Sequence, residues 1–95
     1  MLAPVHPGEI LKEDFMVPYG LSARKLADAL SVPTNRITSI VNGQRGITAE
    51  TALRLSDAFG TTAEFWTNLQ DHYELTKARQ SERPKIKRLK VPAAQ

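Results

Sequence analysis

Apolar positions recur along this chain at helical spacing, and proline, glycine and hydroxyl residues mark the breaks between them. Leu11 and Phe15 begin an inward stripe behind Pro7, a residue suited to a first helical turn, and the acidic Glu9. Pro18 and Gly20 predict that this helix stops near Val17. Ser22 is a good N-cap for a second helix that turns Leu26, Ala29 and Leu30 inward. Ser31-Val32-Pro33 is a tight break, with Pro33 at the opening of a third helix whose buried side is Ile37, Ile40 and Val41. Asn42-Gly43 ends it with residues tolerant of positive φ. Thr48 caps a fourth helix carrying Ala52, Leu55, Ser56 and Phe59, and Gly60 closes it. Thr61 and Glu64 read as a capping box for a fifth, from about Thr62 to about Ala78, with Phe65, Trp66, Leu69 and Tyr73 along one side.

The pattern therefore predicts an all-α chain: a five-helix domain over residues 1–78 and a short tail over 79–95. In the tail, Pro84 and Pro92 bracket Lys85-Ile86-Lys87-Arg88-Leu89-Lys90-Val91, a piece that reads as a short edge strand or a flexible arm.

Size narrows the picture. A chain of 95 residues hides only roughly 60–65% of the surface its unfolded form exposes, which disfavours a deep catalytic cleft and favours pairing with a second chain. With 41% hydrophobic and 24% charged residues the composition is that of an ordinary globular domain. Its lack of cysteine excludes disulfides, thiolate catalysis and thiolate metal sites. No apolar run is long enough for a bilayer, and Met1-Leu2-Ala3-Pro4-Val5-His6-Pro7 has neither the basic start nor the apolar stretch of a signal peptide, so the expected compartment is the cytoplasm.

The net charge of +3 hides a division. Residues 1–76 carry six basic and nine acidic side chains, a net −3. Residues 77–95 carry Lys77, Arg79, Arg83, Lys85, Lys87, Arg88 and Lys90 against Glu82, a net +6. Within the body, residues 20–47 set Arg24, Lys25, Arg36 and Arg45 against Asp28, a net +3, whereas 48–76 set Arg54 against Glu50, Asp57, Glu64, Asp71 and Glu74, a net −4. A basic middle and tail beside an acidic flank suggests one face for nucleic acid and another for a different partner.

Residues 22–42 supply the parts of a DNA-binding helix-turn-helix. Ala27 is the small residue at the helix crossing, and Ile37 and Ile40 are anchors for the second helix. Thr34, Asn35, Thr38 and Ser39, continued by Asn42, form a short polar outer face able to approach base edges. Arg24, Arg36 and Arg45 are placed to hold phosphates. Ser31 stands where such turns often carry glycine, so a positive φ there costs a little. A helical protein-interaction module with a polar second helix is the competing reading of the same pattern.

Four blocks carry a resemblance: His6-Pro7-Gly8-Glu9-Ile10-Leu11, Val32-Pro33-Thr34-Asn35-Arg36-Ile37, Val41 through Ala52, and Glu64-Phe65-Trp66-Thr67-Asn68-Leu69-Gln70. Together, and in this order, they closely resemble the HigA family of antitoxins, within the wider XRE (Cro/repressor-like) helix-turn-helix group. The resemblance spans roughly residues 6–78 and leaves the tail outside it. It implies a five-helix domain, a homodimer on a palindromic double-stranded DNA operator, repression of its own operon, and a HigB-like toxin partner that cleaves mRNA. A regulator of the same fold without a toxin is the alternative.

The aromatic stripe of a domain too small to bury everything alone points to Phe65, Trp66, Leu69 and Tyr73 as the dimer contact, with Trp66 at or beside it. Toxins that bind RNA tend to be basic, so the acidic Glu50, Asp57 and Asp71 are the expected toxin contacts, and the basic tail is expected to lie along phosphates. His6 is expected to shape the start of the first helix and His72 to lie on the surface, with no metal or cofactor site. Asp71-His72-Tyr73-Glu74 cannot converge on one helix, and nothing else pairs an acid with a base, so an enzyme is not expected.

Overall fold

His6 opens the first helix. Its backbone is extended, and its Nδ1 accepts the Gly8 N–H at 2.9 Å, so an imidazole does the work of a capping hydroxyl. The computed structural model describes residues 3–90 and Pro92. Met1, Leu2 and Val91 of the segments singled out above lie outside the described residues. Helix α1 is composite: Pro7–Ile10 is α-helical, Leu11–Met16 winds as a wider π-helical stretch, and Val17–Tyr19 is α-helical again. It thus passes the expected stop at Val17. The Val17 N–H reaches back to Lys12 O, and this shifted register accommodates Pro18, which has no N–H and would strain an unbroken α register. Gly20, at φ 65°, ends the helix.

Helix α2 (Ala23–Leu30) starts on Ser22, whose hydroxyl accepts the Lys25 N–H at 3.1 Å. It ends at Ser31, φ 57°, the one non-glycine residue at positive φ among those described. Pro33 is the N-cap of α3 (Thr34–Val41), not its first helical residue. Helix α4 (Ala49–Phe59) is capped by Thr48 and closed by Gly60 at φ 75°. Helix α5 (Ala63–Gln80) starts one residue later than a Thr61 box requires: Thr62 accepts the Phe65 N–H at 3.0 Å. Thr61 instead accepts the indole N–H of Trp66 at 2.7 Å. A buried indole donor must have an acceptor, and that need overrides the local capping pattern.

The core draws Leu11 and Met16 from α1, Leu26, Ala27 and Leu30 from α2, Ile37 and Ile40 from α3, Ala52 and Leu55 from α4, and Trp66 from α5. Ala29, expected inward, is exposed, and Ala27 takes the inner position. Residues 81–90 form no strand and are exposed throughout, so the described part of the tail is an irregular arm.

The His6 cap makes stability pH-dependent. Burial lowers the His6 pKa; Glu74 and Glu9 oppose that shift and Lys77 adds to it. The unfolded chain therefore holds the proton more tightly. Stability is full above the ordinary histidine value of about 6.5 and is lost as pH falls through the lower folded value. Thermal melts from pH 8 to pH 5 are expected to show a fall in Tm that sets in below about pH 6.5. His6→Asn, which keeps an acceptor near the Nδ1 position, is expected to flatten it. An equal fall in that variant would assign the effect elsewhere.

Candidate nucleic-acid interface

Helices α2 and α3 meet across a turn held from outside. Ala27 is fully buried at the crossing, and the Val32 N–H returns to Ala27 O at 3.0 Å. The Arg54 guanidinium on α4 donates to Leu30 O at 2.7 Å and Ser31 O at 3.4 Å, which helps hold the positive φ that serine adopts there. Arg54 also pairs with Glu50, and Glu50 accepts from Arg36 of α3 at 2.8 Å. One ionic chain thus ties the turn, α4 and α3 together.

The outer face follows from helical geometry. Ile37 and Ile40 are fully buried, so Thr34, Asn35, Thr38 and Ser39 fall on the opposite arc, with Asn42 at its end. Thr34, Asn35 and Asn42 are exposed; Thr38 and Ser39 are half-buried. The Thr38 hydroxyl donates back to Asn35 O at 3.3 Å, and Ser39 O accepts the Gln44 and Arg45 N–H groups at 2.8 and 3.2 Å. Arg24, in the first turn of α2, and Arg45, in the loop after α3, are exposed, with no carboxylate in ion-pair distance among the described residues.

Arg36 departs from its expected role. It is committed to Glu50 and lines, with Arg45, Thr48, Glu50 and Thr51, a shallow cleft of about 180 Å³ at the start of α4. Glu50, expected among the toxin contacts, is exposed and joins Arg36 and Arg54; the Arg54 hydrogen bond, ahead of the Arg36 contact, holds its carboxyl below the usual carboxylate range. Asp57 and Asp71 are exposed, on α4 and α5 respectively.

Three residues without an expected role position the interface. Gly8 lies against the α3 backbone, where an added Cβ would sit 1.9 Å from Ile40 O. Gln70 accepts the Ile47 N–H at 2.8 Å and donates to Glu74 at 2.9 Å, pinning the loop that carries Arg45 onto α5. Arg54 holds the turn. Only membership of Gly8 and Gln70 in the blocks of resemblance marks them in the sequence, and Arg54 reads there as a lone base in an acidic stretch.

The expected dimer set divides. Trp66 is fully buried within the chain, its ring 4.8 Å from Phe15 and 5.0 Å from Phe65, so it belongs to the core and not to an interface. Leu69 packs on that core and Tyr73 sits 4.8 Å from the His6 ring. Phe65 is 37% exposed, at the surface of an aromatic cluster that reaches solvent again at Tyr19. His72 is exposed, and the described residues contain no group of three potential metal ligands among His, Cys, Asp and Glu. No described helix is long and apolar enough to cross a membrane.

A two-helix unit with a fixed turn, an outward polar arc and exposed flanking arginines defines a DNA-binding helix-turn-helix domain, and residues 12–66 match the helix-turn-helix family. Virulence-associated protein I of Dichelobacter nodosus is 55% identical over 76 residues, 80% of this chain and 70% of that protein. Antitoxin HigA-1 of Vibrio cholerae is 40% identical over 72 residues, 76% of this chain and 68% of that protein. The structure of Pseudomonas aeruginosa antitoxin HigA with the higBA promoter superposes with a TM-score of 0.78 at 47% identity, covering 79% of this chain and 82% of that one. The chain belongs to the HigA antitoxin family of helix-turn-helix proteins.

Proposed function

We propose that this protein is a cytoplasmic autorepressor and antitoxin, which binds a palindromic operator as a two-fold dimer and neutralises a HigB-like mRNA-cleaving toxin. The observation that carries the reading is the exposed Thr34–Asn35 arc, set between the exposed Arg24 and Arg45 on a turn locked by Arg54. Asparagine bonds adenine bidentately, and threonine offers a hydroxyl and a methyl to thymine, so this arc reads bases while the arginines hold backbone. Two-fold symmetry sets the α3 helices about 34–36 Å apart on DNA. Of the aromatic stripe, Phe65 is the member open to a partner chain, with Tyr19 exposed beside the same cluster. Glu50, Asp57 and Asp71, all exposed, are acids available to meet a basic toxin. Co-purification with the product of the neighbouring reading frame tests the toxin half.

The operator half makes a sharper demand. Asn35→Ala is expected to weaken the operator by about 1–3 kcal/mol and to relax preference at one base pair. Arg45→Ala is expected to weaken all sequences alike and to reduce the slope of log K against log salt by about 0.9 for each phosphate it no longer neutralises. Titrations of operator and scrambled duplex at several salt concentrations separate the two. The reverse assignment, with Asn35 generic and Arg45 specific, would place the reading face elsewhere.

A further inference from the structure

We propose that residues 81–90 are a basic arm that continues from α5 and lies along the phosphates flanking the operator. The inference rests on the operator reading and deepens it.

Neighbouring side chains tie α5, from which the arm continues, to the helix-turn-helix. A Cβ built on Gly43, just after α3, would lie 3.9 Å from the His6 ring, so the two are close. His6 meets Tyr73 of α5, and the Lys77 ammonium lies 5.2 Å from the Tyr73 ring centroid. One turn earlier, Gln70 binds the loop that carries Arg45. The middle of α5, at Gln70 and Tyr73, is therefore tied to the loop that follows α3, directly through Gln70 and by way of His6. The helix continues from Tyr73 to Gln80, about 10 Å further, before the arm begins.

The exit from the helix is held. The Ser81 N–H and the Arg83 guanidinium both donate to Ala78 O at 3.2 Å, and the Ser81 hydroxyl donates to Lys77 O at 3.1 Å. These bonds satisfy carbonyls that end a helix without partners. Beyond them stand Lys85, Lys87, Arg88 and Lys90, all exposed and without an ion pair among the described residues. The same chain carries a net −4 over residues 48–76, yet the arm does not fold onto it. Its charge is left for an external polyanion. Ten residues, fully extended, reach at most about 33 Å, and one strand carries a phosphate for about every 3.4 Å of helix axis, so one arm reaches at most about ten base pairs of flank.

The test uses the full chain and promoter DNA from upstream of its own gene. Footprinting first defines the protected site. Affinity is then measured across a salt series on that site alone and on the site with about ten flanking base pairs at each end. The wild-type chain is expected to gain about tenfold from the flanks at moderate salt. Lys85→Gln, Lys87→Gln, Arg88→Gln and Lys90→Gln combined are expected to keep the footprint, to gain nothing from the flanks, and to show a slope shallower by about 0.9 for each phosphate no longer neutralised. Ile86→Ser with Leu89→Ser is expected to behave as wild type. A footprint with an unchanged slope and flank gain in the cation variant overturns the arm alone. Loss of the flank gain in the Ile86/Leu89 variant but not in the cation variant would mean that the segment docks through apolar side chains, and overturns it equally. Absence of any footprint by the wild-type chain removes the operator reading and the arm with it.

Discussion

Replacing Gly8 by alanine is expected to cost about 3 kcal/mol or more, a large share of what a domain of this size holds. The added Cβ would lie 1.9 Å from Ile40 O, 2.7 Å from Ile40 C and 3.0 Å from Val41 Cα. All three are backbone atoms near the end of α3, so no side-chain rotamer change relieves the clash. Either α1 lifts from α3 or α3 shifts outward. Since α3 carries Thr34, Asn35, Thr38 and Ser39, the second outcome also moves the reading face. Thermal melts are expected to fall by roughly 12–24 °C. Operator affinity is expected to drop even at a temperature where the variant is folded. Gly46→Ala is the contrast: its Cβ would meet the end of the Gln70 side chain at 2.7 Å, which can swing away only by giving up the Ile47 N–H. It is expected to cost about 1–3 kcal/mol, the loss of one buried hydrogen bond, and to leave α1 seated on α3. A Gly8→Ala protein within about 1 kcal/mol of wild type, on the scale set by overpacked cores, would show that α1 and α3 do not pack as closely as described.

Trp66→Ala is expected to cost about 3–5 kcal/mol, the range for removing a large buried ring. The indole is fully buried and joins α1, α4 and α5 through Phe15, Phe59 and Phe65. Its removal leaves a cavity and takes away the donor to Thr61. Because the ring packs inside one chain, the loss is expected to be the same at low and high protein concentration in chemical denaturation. On the proposed two-fold dimer, Phe65→Ala is expected to do the opposite, with a smaller loss that deepens on dilution. A concentration-dependent loss for Trp66→Ala would return that residue to the interface.

Much of the fold was legible because its signals act within one helical turn. Ser22 and Thr48 cap α2 and α4 through bonds to the third residue onward, and Gly20 and Gly60 end helices at positive φ, conformations set by their own atoms. The polar arc of α3 was legible for the same reason, since helical period turns Thr34 and Asn35 outward once Ile37 and Ile40 face the core. Where a side chain had a choice of partner, the local reading lost its hold. Thr61 had a cap to make and gave its hydroxyl to Trp66.

Five helices, the turn between α2 and α3, the polar arc on α3 and the division of charge along the chain could be read in order from the residues. Helical period, caps and breakers need only near neighbours. Long-range packing alone brings Glu50 to Arg36 and Arg54, pins the loop before α4 through Gln70, sets Gly8 against the α3 backbone and places Trp66 inside. Each of these depends on segments distant in the chain arriving at one place. A carboxylate's sign is visible in the sequence, but its partner is set by which guanidinium packing brings within reach.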